Sequence, residues 1–544
     1  MSAQEPIPVY TNLKDLYGSL GTSLDHVVRW NNLAEEFEKR FGRKPAYIAR
    51  APGRVKCVGE HIDYALFGVL PAAIERDILI ACAPRDIPPD SPKDEAQYAP
   101  GSVIADNLHP KYSRQVFAPA PKLIPIDDTV HVEGWHLDIN TQQLQWESYV
   151  KAGYYGVLNE YFTNSPSRPI PVDMLFTGSV PAGSGLSSSA AMVVASTLAF
   201  LAINGKVSPP NAGNFMCSIE RQILKGELVK MSMENEKRVG AMDQAASVMS
   251  VPSSVLYITF YPSLSASPTP LPGKFCFPPV SDKALTAKKG YNLRVVETLV
   301  GARALALKLG VPVGAKEKIT LREVVGKLMA ETDVGPGGNG MDVDALMAVL
   351  QRMEAAVEQL KPPASTDPHF GATLEEMVEM SGLSAEEFHE VYLSWVEVDA
   401  THFKLYKRAK HVYSEALRVL QFRKICLDTA VAAAGSDNVA VLQQLGRLMN
   451  ESQSSCAGDF ECSCEELDQL TQLARDAGAY GSRLTGAGWG GCTVSLVPEG
   501  EVESFIKKVS ETYPPYKGLE GDALNEVIFA TRPSSGAFVY KFEE

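Results

Sequence analysis

A chain of 544 residues is too long for one ordinary compact domain, so two or more domains are expected. Hydrophobic residues at 45% and charged residues at 21% exclude a disordered or fibrous chain and leave enough apolar material for a large core. The 51 Lys and Arg against 65 Asp and Glu give a net charge of -14, which argues against nucleic acid or anionic membranes as partners but not against a small anion held by backbone amides.

Residues 1–45 read as a helical lead-in, with Leu24, Val27, Val28, Trp30 and Leu33 at helical spacing. Short strands are expected at 46–51 and 54–58, on either side of a turn at Pro52-Gly53, and another at 78–83. Residues 84–130 are rich in Pro and Asp and read as a long surface excursion with strand fragments such as 102–105. The pattern predicts a helix over 146–162 and a strand over 172–177, bounded by Pro171 and Gly178. A glycine-rich loop at 178–185 then leads into an apolar helix from Ser187. Residues 214–235 read as helix, 255–261 as strand, and the Pro-rich 262–280 as a domain boundary. Amphipathic helices are predicted over 321–329, 343–360 and 374–391, divided by Gly-rich and Pro-rich breaks. Gly335-Pro-Gly-Gly-Asn-Gly340 reads as a linker, since no apolar strand precedes it and no Lys-Ser/Thr follows. Residues 400–480 are mostly helical, with strands at 493–497 and 537–542. Helices and strands mix without regular βαβ alternation, which predicts an α+β fold.

The cysteines at 57, 82, 217, 276, 426, 456, 462, 464 and 492 are odd in number and irregularly spaced, as in a reducing compartment. Cys462-Ser-Cys464, with Cys456 nearby, lacks a His or fourth Cys at a metal-binding spacing. The polar N-terminus carries no signal-peptide core, and the most apolar run, 190–203, is shorter than the ~20 residues a spanning helix needs. A cytoplasmic protein is expected.

Three blocks carry chemistry. In Val180-Pro-Ala-Gly-Ser-Gly-Leu-Ser-Ser-Ser-Ala-Ala191 a strand feeds a glycine-rich turn and the turn feeds a helix. Gly183 and Gly185 permit close backbone approach, and the unpartnered N–H groups of the helix start form a site for a triphosphate. The plain alternative is a serine N-cap on a core helix, which one serine would satisfy and three after two glycines suit less. The second block is Ala51-Pro-Gly-Arg54 followed by Val58-Gly-Glu60-His61-Ile-Asp63-Tyr64. Its carboxylates and imidazole could grip sugar hydroxyls, although taken alone it reads more simply as a charged surface loop. The third is Gly481-Ser-Arg-Leu-Thr-Gly-Ala-Gly-Trp-Gly-Gly491, whose glycines imply either a backbone packed against something or only a tight turn.

Together the blocks resemble the signature set of the GHMP small-molecule kinases, and the second matches that of galactokinases: Gly53-Arg-Val-Lys-Cys-Val-Gly-Glu-His-Ile-Asp-Tyr64, then Val69-Leu-Pro71. Met242-Asp-Gln-Ala-Ala-Ser-Val248 and Tyr291-Asn-Leu-Arg-Val-Val-Glu297 match as well. The Tyr291 block, the helical zone at 315–400 and the ending Arg532-Pro-Ser-Ser-Gly-Ala-Phe-Val-Tyr540 are similar to the long fungal branch. The resemblance runs from about Arg50 to the C-terminus.

It implies a two-domain GHMP kinase fold with the active site between the domains: 1–280, and 281–544 with a helical insertion at about 315–400. It implies transfer of the γ-phosphate of ATP to the C1 hydroxyl of galactose, with Mg2+. Asp243 would be the catalytic base and Arg54 its charge partner. Arg54, Glu60, His61, Asp63, Gly240 and Tyr291 would bind the sugar. Gly183, Ser184, Gly185, Leu186, Ser187, Ser188 and Ser189 would hold the ATP phosphates, with Ser189 and Glu236 on the metal and Glu234 as the next candidate. Three departures stand out: Lys56 replaces the family's usual Asn, Val239-Gly240-Ala241 runs into Met242 a few residues early, and a strand is missing between Phe277 and Tyr291. The shortened approach to Asp243 predicts a weakened kinase that still binds ATP. The rival implications are an N-acetylgalactosamine kinase, or a non-catalytic galactose and ATP sensor that contacts a transcriptional repressor. Sensors of that kind have a shortened serine run, whereas Ser187, Ser188 and Ser189 are all present. The expected partners are galactose and ATP, with no nucleic acid and no membrane, on a monomer.

Overall fold

The computed structural model describes residues 7–11, 24–90, 92, 95–126, 129–140, 145–207, 242–262, 265–272, 275–277, 290–331, 342–361, 371–431 and 438–542. Among them, a seven-stranded sheet has the order Val9–Tyr10, Phe538–Lys541, Tyr47–Val58, Leu70–Pro84, Val172–Gly178, Val103–Asn107, Gln115–Phe117. A four-stranded antiparallel sheet has the order Gly481–Thr485, Cys492–Leu496, Phe275–Phe277, Phe529–Thr531. Helix and strand are mixed in an α+β arrangement, as the pattern predicted. The tail returns to the first sheet, where Phe538–Lys541 pairs antiparallel with residues 47–50.

The two faces of the large sheet follow from strand alternation. Leu79 and Ala81, with Ile48 and Leu175, face Trp30, Leu33 and Phe37 of the helix Leu24–Phe41. Ile78, Ile80 and Cys82 face the main core instead. Burial on both faces makes these strands continuous apolar runs. Against the second face lies the helix Ser188–Ile203, buried from Ala190 to Ile203 except for the half-buried Met192. It packs on the helix Trp146–Tyr161, where Tyr154 stacks on Phe200 at 4.0 Å.

The expected turn at Pro52-Gly53 is a correction. Tyr47–Val58 is one continuous strand: Pro52 pairs with Asp77 and Arg54 with Ala73, so the register shift there places the extra residues in the partner strand Leu70–Pro84, and the chain runs straight on where a turn was anticipated. The proline has no N–H for the ladder, and a Cβ on Gly53 would lie 2.8 Å from the Leu186 carbonyl oxygen. The strand at 78–83 likewise belongs to the longer Leu70–Pro84. Within 84–130, Val103–Asn107 joins the sheet parallel to Val172–Gly178, and Ala120–Ile126 pairs with Thr129–His136 as a hairpin.

The helical zone contains Leu321–Leu328 and Val343–Ala356 near their expected places. The single helix expected over 374–391 is interrupted. Leu374–Ser381 ends on Gly382 at φ 68, and Ser384 caps a new start at Ala385–Phe388. The helix expected at 214–235, the linker at 335–340, and Glu234, Glu236 and Gly240 lie outside the described residues. Among the described residues no helix is long and apolar enough to cross a membrane.

Candidate active site

Arg54 links the second block to the first and to the Met242 segment. Its Nε donates to Asp243 Oδ1 at 2.7 Å, its Nη1 to the Gly185 carbonyl at 2.6 Å, and its backbone N–H to the Leu186 carbonyl at 3.0 Å. Asp243 sits in the first turn of the helix Met242–Met249 and keeps 27% of its side chain exposed, so its carboxylate is open to solvent. Burial works against the Arg54 charge, but Asp243 first, then Glu60 and Asp63, outweigh it and hold the guanidinium above its ordinary pKa.

Ser187 behaves differently from its neighbours. It occupies the N-cap position of Ser188–Ile203 in the left-handed region, at φ 58 and ψ 43, and its side chain makes no capping bond. Its hydroxyl donates instead to Asp243 Oδ2 at 2.5 Å. Asp243 is thereby oriented through both oxygens, by Arg54 and by Ser187.

The glycine-rich loop is shaped by backbone. Gly183 and Gly185 have φ of 75 and 80, and Ser184 turns its hydroxyl back onto the Pro181 carbonyl at 2.7 Å. Leu186 is buried and anchors the loop, while Ser188 and Ser189 are half-buried on the first helical turn. The third block is the surface this loop packs against. A Cβ on Gly486 would lie 2.7 Å from the Gly185 carbonyl oxygen, and one on Gly491 would lie 3.2 Å from that of Ser184. A cleft of about 1170 Å³ opens beside the loop, with Gly183, Ser188 and Ser189 on one wall and Tyr516, Val527 and Phe529 on another.

The Glu60–Asp63 stretch lies on the other side of Arg54. Glu60 is buried, with Lys56 Nζ 3.0 Å from Oε1 and both Arg483 Nη2 and the Gly486 N–H donating to Oε2 at 3.2 Å. Burial would lift its carboxyl, but Lys56 and Arg483 hold it below the ordinary value. Lys56 also reaches Asp63 Oδ1 at 3.4 Å. Burial disfavours its ammonium, yet Asp63 and Glu60 prevail and raise its pKa.

His61 is buried at φ 60 and stacks on Phe460 at 4.8 Å. Its Nε2 is 2.8 Å from the Ala487 carbonyl, so in the neutral ring Nε2 carries the proton and Nδ1 accepts from the Tyr64 hydroxyl at 3.3 Å. Burial, only partly offset by Glu60, lowers its pKa to about 4 and keeps the ring neutral. Tyr291 opens the helix Tyr291–Lys308, its ring 6.0 Å from His61 and 5.5 Å from Tyr64. Asp63 and Tyr291 are half-buried, whereas Glu60 and His61 are enclosed.

Sequence reasoning passed over several residues. Arg483 and Thr485 were inside the third block but were overshadowed by its glycines; Thr485 Oγ1 accepts from the Lys56 N–H at 2.9 Å. His411 and Glu415 had no local signal, since a histidine and a glutamate on a long charged helix look like solvent-facing residues.

Residues 35–84 match the galactokinase galactose-binding signature, 148–251 the GHMP kinases N terminal domain and 438–515 the GHMP kinases C terminal. The chain is 34% identical to a galactokinase of Saccharomyces cerevisiae over 549 residues, covering 94% of each chain. It is 32% identical to a galactokinase of Dictyostelium discoideum, covering 98% of this chain and 97% of that one. A solved structure, Lactococcus lactis galactokinase complexed with galactose, shares the fold with a TM-score of 0.57 at 20% identity, covering 93% of this chain and 99% of that one.

Proposed function

The chain belongs to the galactokinase family, and on that premise we propose that it transfers the γ-phosphoryl group of ATP to the C1 hydroxyl of galactose. The observation that carries the reading is the Arg54 guanidinium, bonded at once to the Asp243 carboxylate and to the phosphate-loop carbonyl of Gly185. One cation thus joins a base to the place where a phosphoryl group would sit.

In this reading Asp243 accepts the C1 hydroxyl proton as the oxygen attacks the γ-phosphorus. Arg54 keeps that carboxylate ionised beforehand and balances phosphoryl charge during transfer. Ser187 orients Asp243 through its second oxygen. The N–H groups at the start of Ser188–Ile203 hold the nucleotide phosphates, and the adjoining cleft takes the rest of the nucleotide. Asp63 and Tyr291 front the sugar pocket, with Arg54 beside them. Glu60 and His61 complete the pocket from behind, each fixed by the contacts already described.

Mg2+ enters this reading with the nucleotide. Ser189, half-buried on the cleft wall, fits as a hydroxyl ligand, and Glu236 is assigned from sequence alone. Among the described residues, which do not include Glu236, no group of three acidic, His or Cys side chains is gathered. The ion supplies charge neutralisation on the phosphates. The division at about residue 280, the monomeric state and a cytoplasmic location belong to the same proposal. The complete serine run favours a kinase over a sensor for a transcriptional repressor.

The test is a purified-protein assay with MgATP and galactose, glucose or N-acetylgalactosamine, with the phosphorylated position identified. Galactose 1-phosphate formed together with ADP is expected. Binding of both ligands without turnover, or preference for another sugar, contradicts the proposal.

A further inference from the structure

The backbone of residues 59–61 is held by one face of a distant helix. Leu405–Val431 presents His411, Glu415 and Val419 at successive spacings of four, so all three point the same way. Glu415 Oε1 accepts from the Gly59 N–H at 2.8 Å and the Glu60 N–H at 3.3 Å. His411 Nε2 is 3.0 Å from the Glu60 carbonyl oxygen and therefore donates to it. A Cβ on Gly59 would lie 3.1 Å from Val419 Cγ2, so the loop is pressed onto this face without room for a side chain. Gly59 at φ 105 and His61 at φ 60 leave the segment in a conformation that needs outside support.

Glu415 is itself fixed. The Ser452 hydroxyl donates to Oε1 at 2.7 Å and Arg418 Nε to Oε2 at 2.8 Å, while the Ser455 hydroxyl is 2.9 Å from His411 Nδ1. Burial disfavours the carboxylate, but Arg418 and Arg483, with the Ser452 hydroxyl bond, outweigh it and keep Glu415 ionised, well below the usual carboxylate range. Consecutive backbone N–H groups closing on an anion form a nest, here with the anion supplied by the protein.

We propose that Glu415, aided by His411 and Ser452, is a positioning residue that fixes the Gly59–Glu60 backbone and so sets the affinity of the sugar pocket, while leaving the nucleotide side untouched. It acts through the loop and does not touch the sugar. The proposal rests on the reading of Glu60, His61 and Asp63 as sugar-binding residues.

The test compares the full chain with Glu415→Gln, and with the milder Ser452→Ala, which removes one donor and leaves the carboxylate in place. Galactose and ATP are titrated separately at saturating partner, and amide hydrogen exchange of residues 58–64 is followed without ligands. Loop displacement of ~1 Å can cost roughly a hundredfold. The KM for galactose is therefore expected to rise about tenfold to a hundredfold in Glu415→Gln and severalfold in Ser452→Ala, with the KM for ATP within about twofold. Exchange of the loop amides is expected to quicken in the same order. Equal rises in both KM values, or an unchanged galactose KM in folded Ser452→Ala and Glu415→Gln, overturn the proposal. Unchanged loop exchange overturns it too. A wild-type chain that binds no galactose refutes the reading of the site itself, a result the ligand-free exchange data distinguish from failure of the positioning claim.

Discussion

Replacing Arg54 by Met removes the cation at the junction while keeping most of the side-chain volume. The guanidinium makes two short bonds, 2.7 Å to Asp243 Oδ1 and 2.6 Å to the Gly185 carbonyl. Breaking a buried ion pair by deleting one partner costs about 3–5 kcal/mol. Asp243 retains 27% exposure, so water recovers part of that, and ~3 kcal/mol is a fair figure. If that loss falls on the transition state, kcat drops roughly a hundredfold, at tenfold per ~1.4 kcal/mol. The Asp243 carboxylate also loses the cation bonded to it, which makes protonation easier, so the acidic limb of the pH–rate profile moves to higher pH. Arg54→Lys restores the charge without the planar fork and should fall between the two. The assay is ADP release at saturating galactose and MgATP from about pH 5.5 to 9. A kcat within threefold of wild type, or an unmoved acidic limb, would refute the role assigned to Arg54.

Ser187→Ala removes the bond to Asp243 Oδ2 without touching a cap, so kcat should fall about tenfold with the KM for ATP little changed; a change confined to the ATP KM would return Ser187 to the phosphates. Gly486→Ala places a Cβ 2.7 Å from the Gly185 carbonyl oxygen at a φ of 99, so the phosphate loop must move and the ATP KM should rise about tenfold or more; an unchanged value would mean the loop contact is slack. His61 and His411 both have pKa values lowered to about 4 by burial, against ~6.5 in an unfolded chain. Between those limits the unfolded state binds more protons, so stability falls as pH drops through 6.5 towards 4, by on the order of 2 kcal/mol per histidine by pH 5. Urea unfolding at pH 7 and pH 5 measures this, and His411→Asn should flatten part of the slope; pH-independent stability would contradict neutral burial of these rings.

The strands and the motif blocks were legible because their signals are local. Val172–Gly178 and Ser188–Ile203 announce themselves as apolar runs joined by glycines. The glycines of the third block implied a backbone packed against something, and the partner is the glycine-rich loop at Ser184 and Gly185. A turn was expected at Pro52-Gly53 because Pro and Gly mark turns, and only the pairing of Pro52 and Arg54 with the distant strand Leu70–Pro84 shows that the chain runs on. The break at Gly382 was hidden in a long run of helix-favouring residues. Buried charges were the least legible. Arg483 and Glu415 look like surface residues in sequence, and Glu60 and Gly59, to which they bond, lie hundreds of positions away; Lys56 has its partners Glu60 and Asp63 close by, but nothing local shows that the group is buried. The return of the tail to the first sheet is invisible for the same reason: pairing between residues 47–50 and Phe538–Lys541 leaves no local mark.

The catalytic assignment is tested most directly by Asp243→Asn, which keeps the shape of the side chain and removes its basicity. Galactose and ATP binding are measured by calorimetry, and galactose 1-phosphate formation is followed by phosphorus NMR beside the wild-type chain. The expected result is binding of both ligands within a few-fold of wild type, with turnover lowered by at least about a hundredfold, the lower end of what a positioned general base contributes. Undiminished formation of galactose 1-phosphate by Asp243→Asn would contradict it.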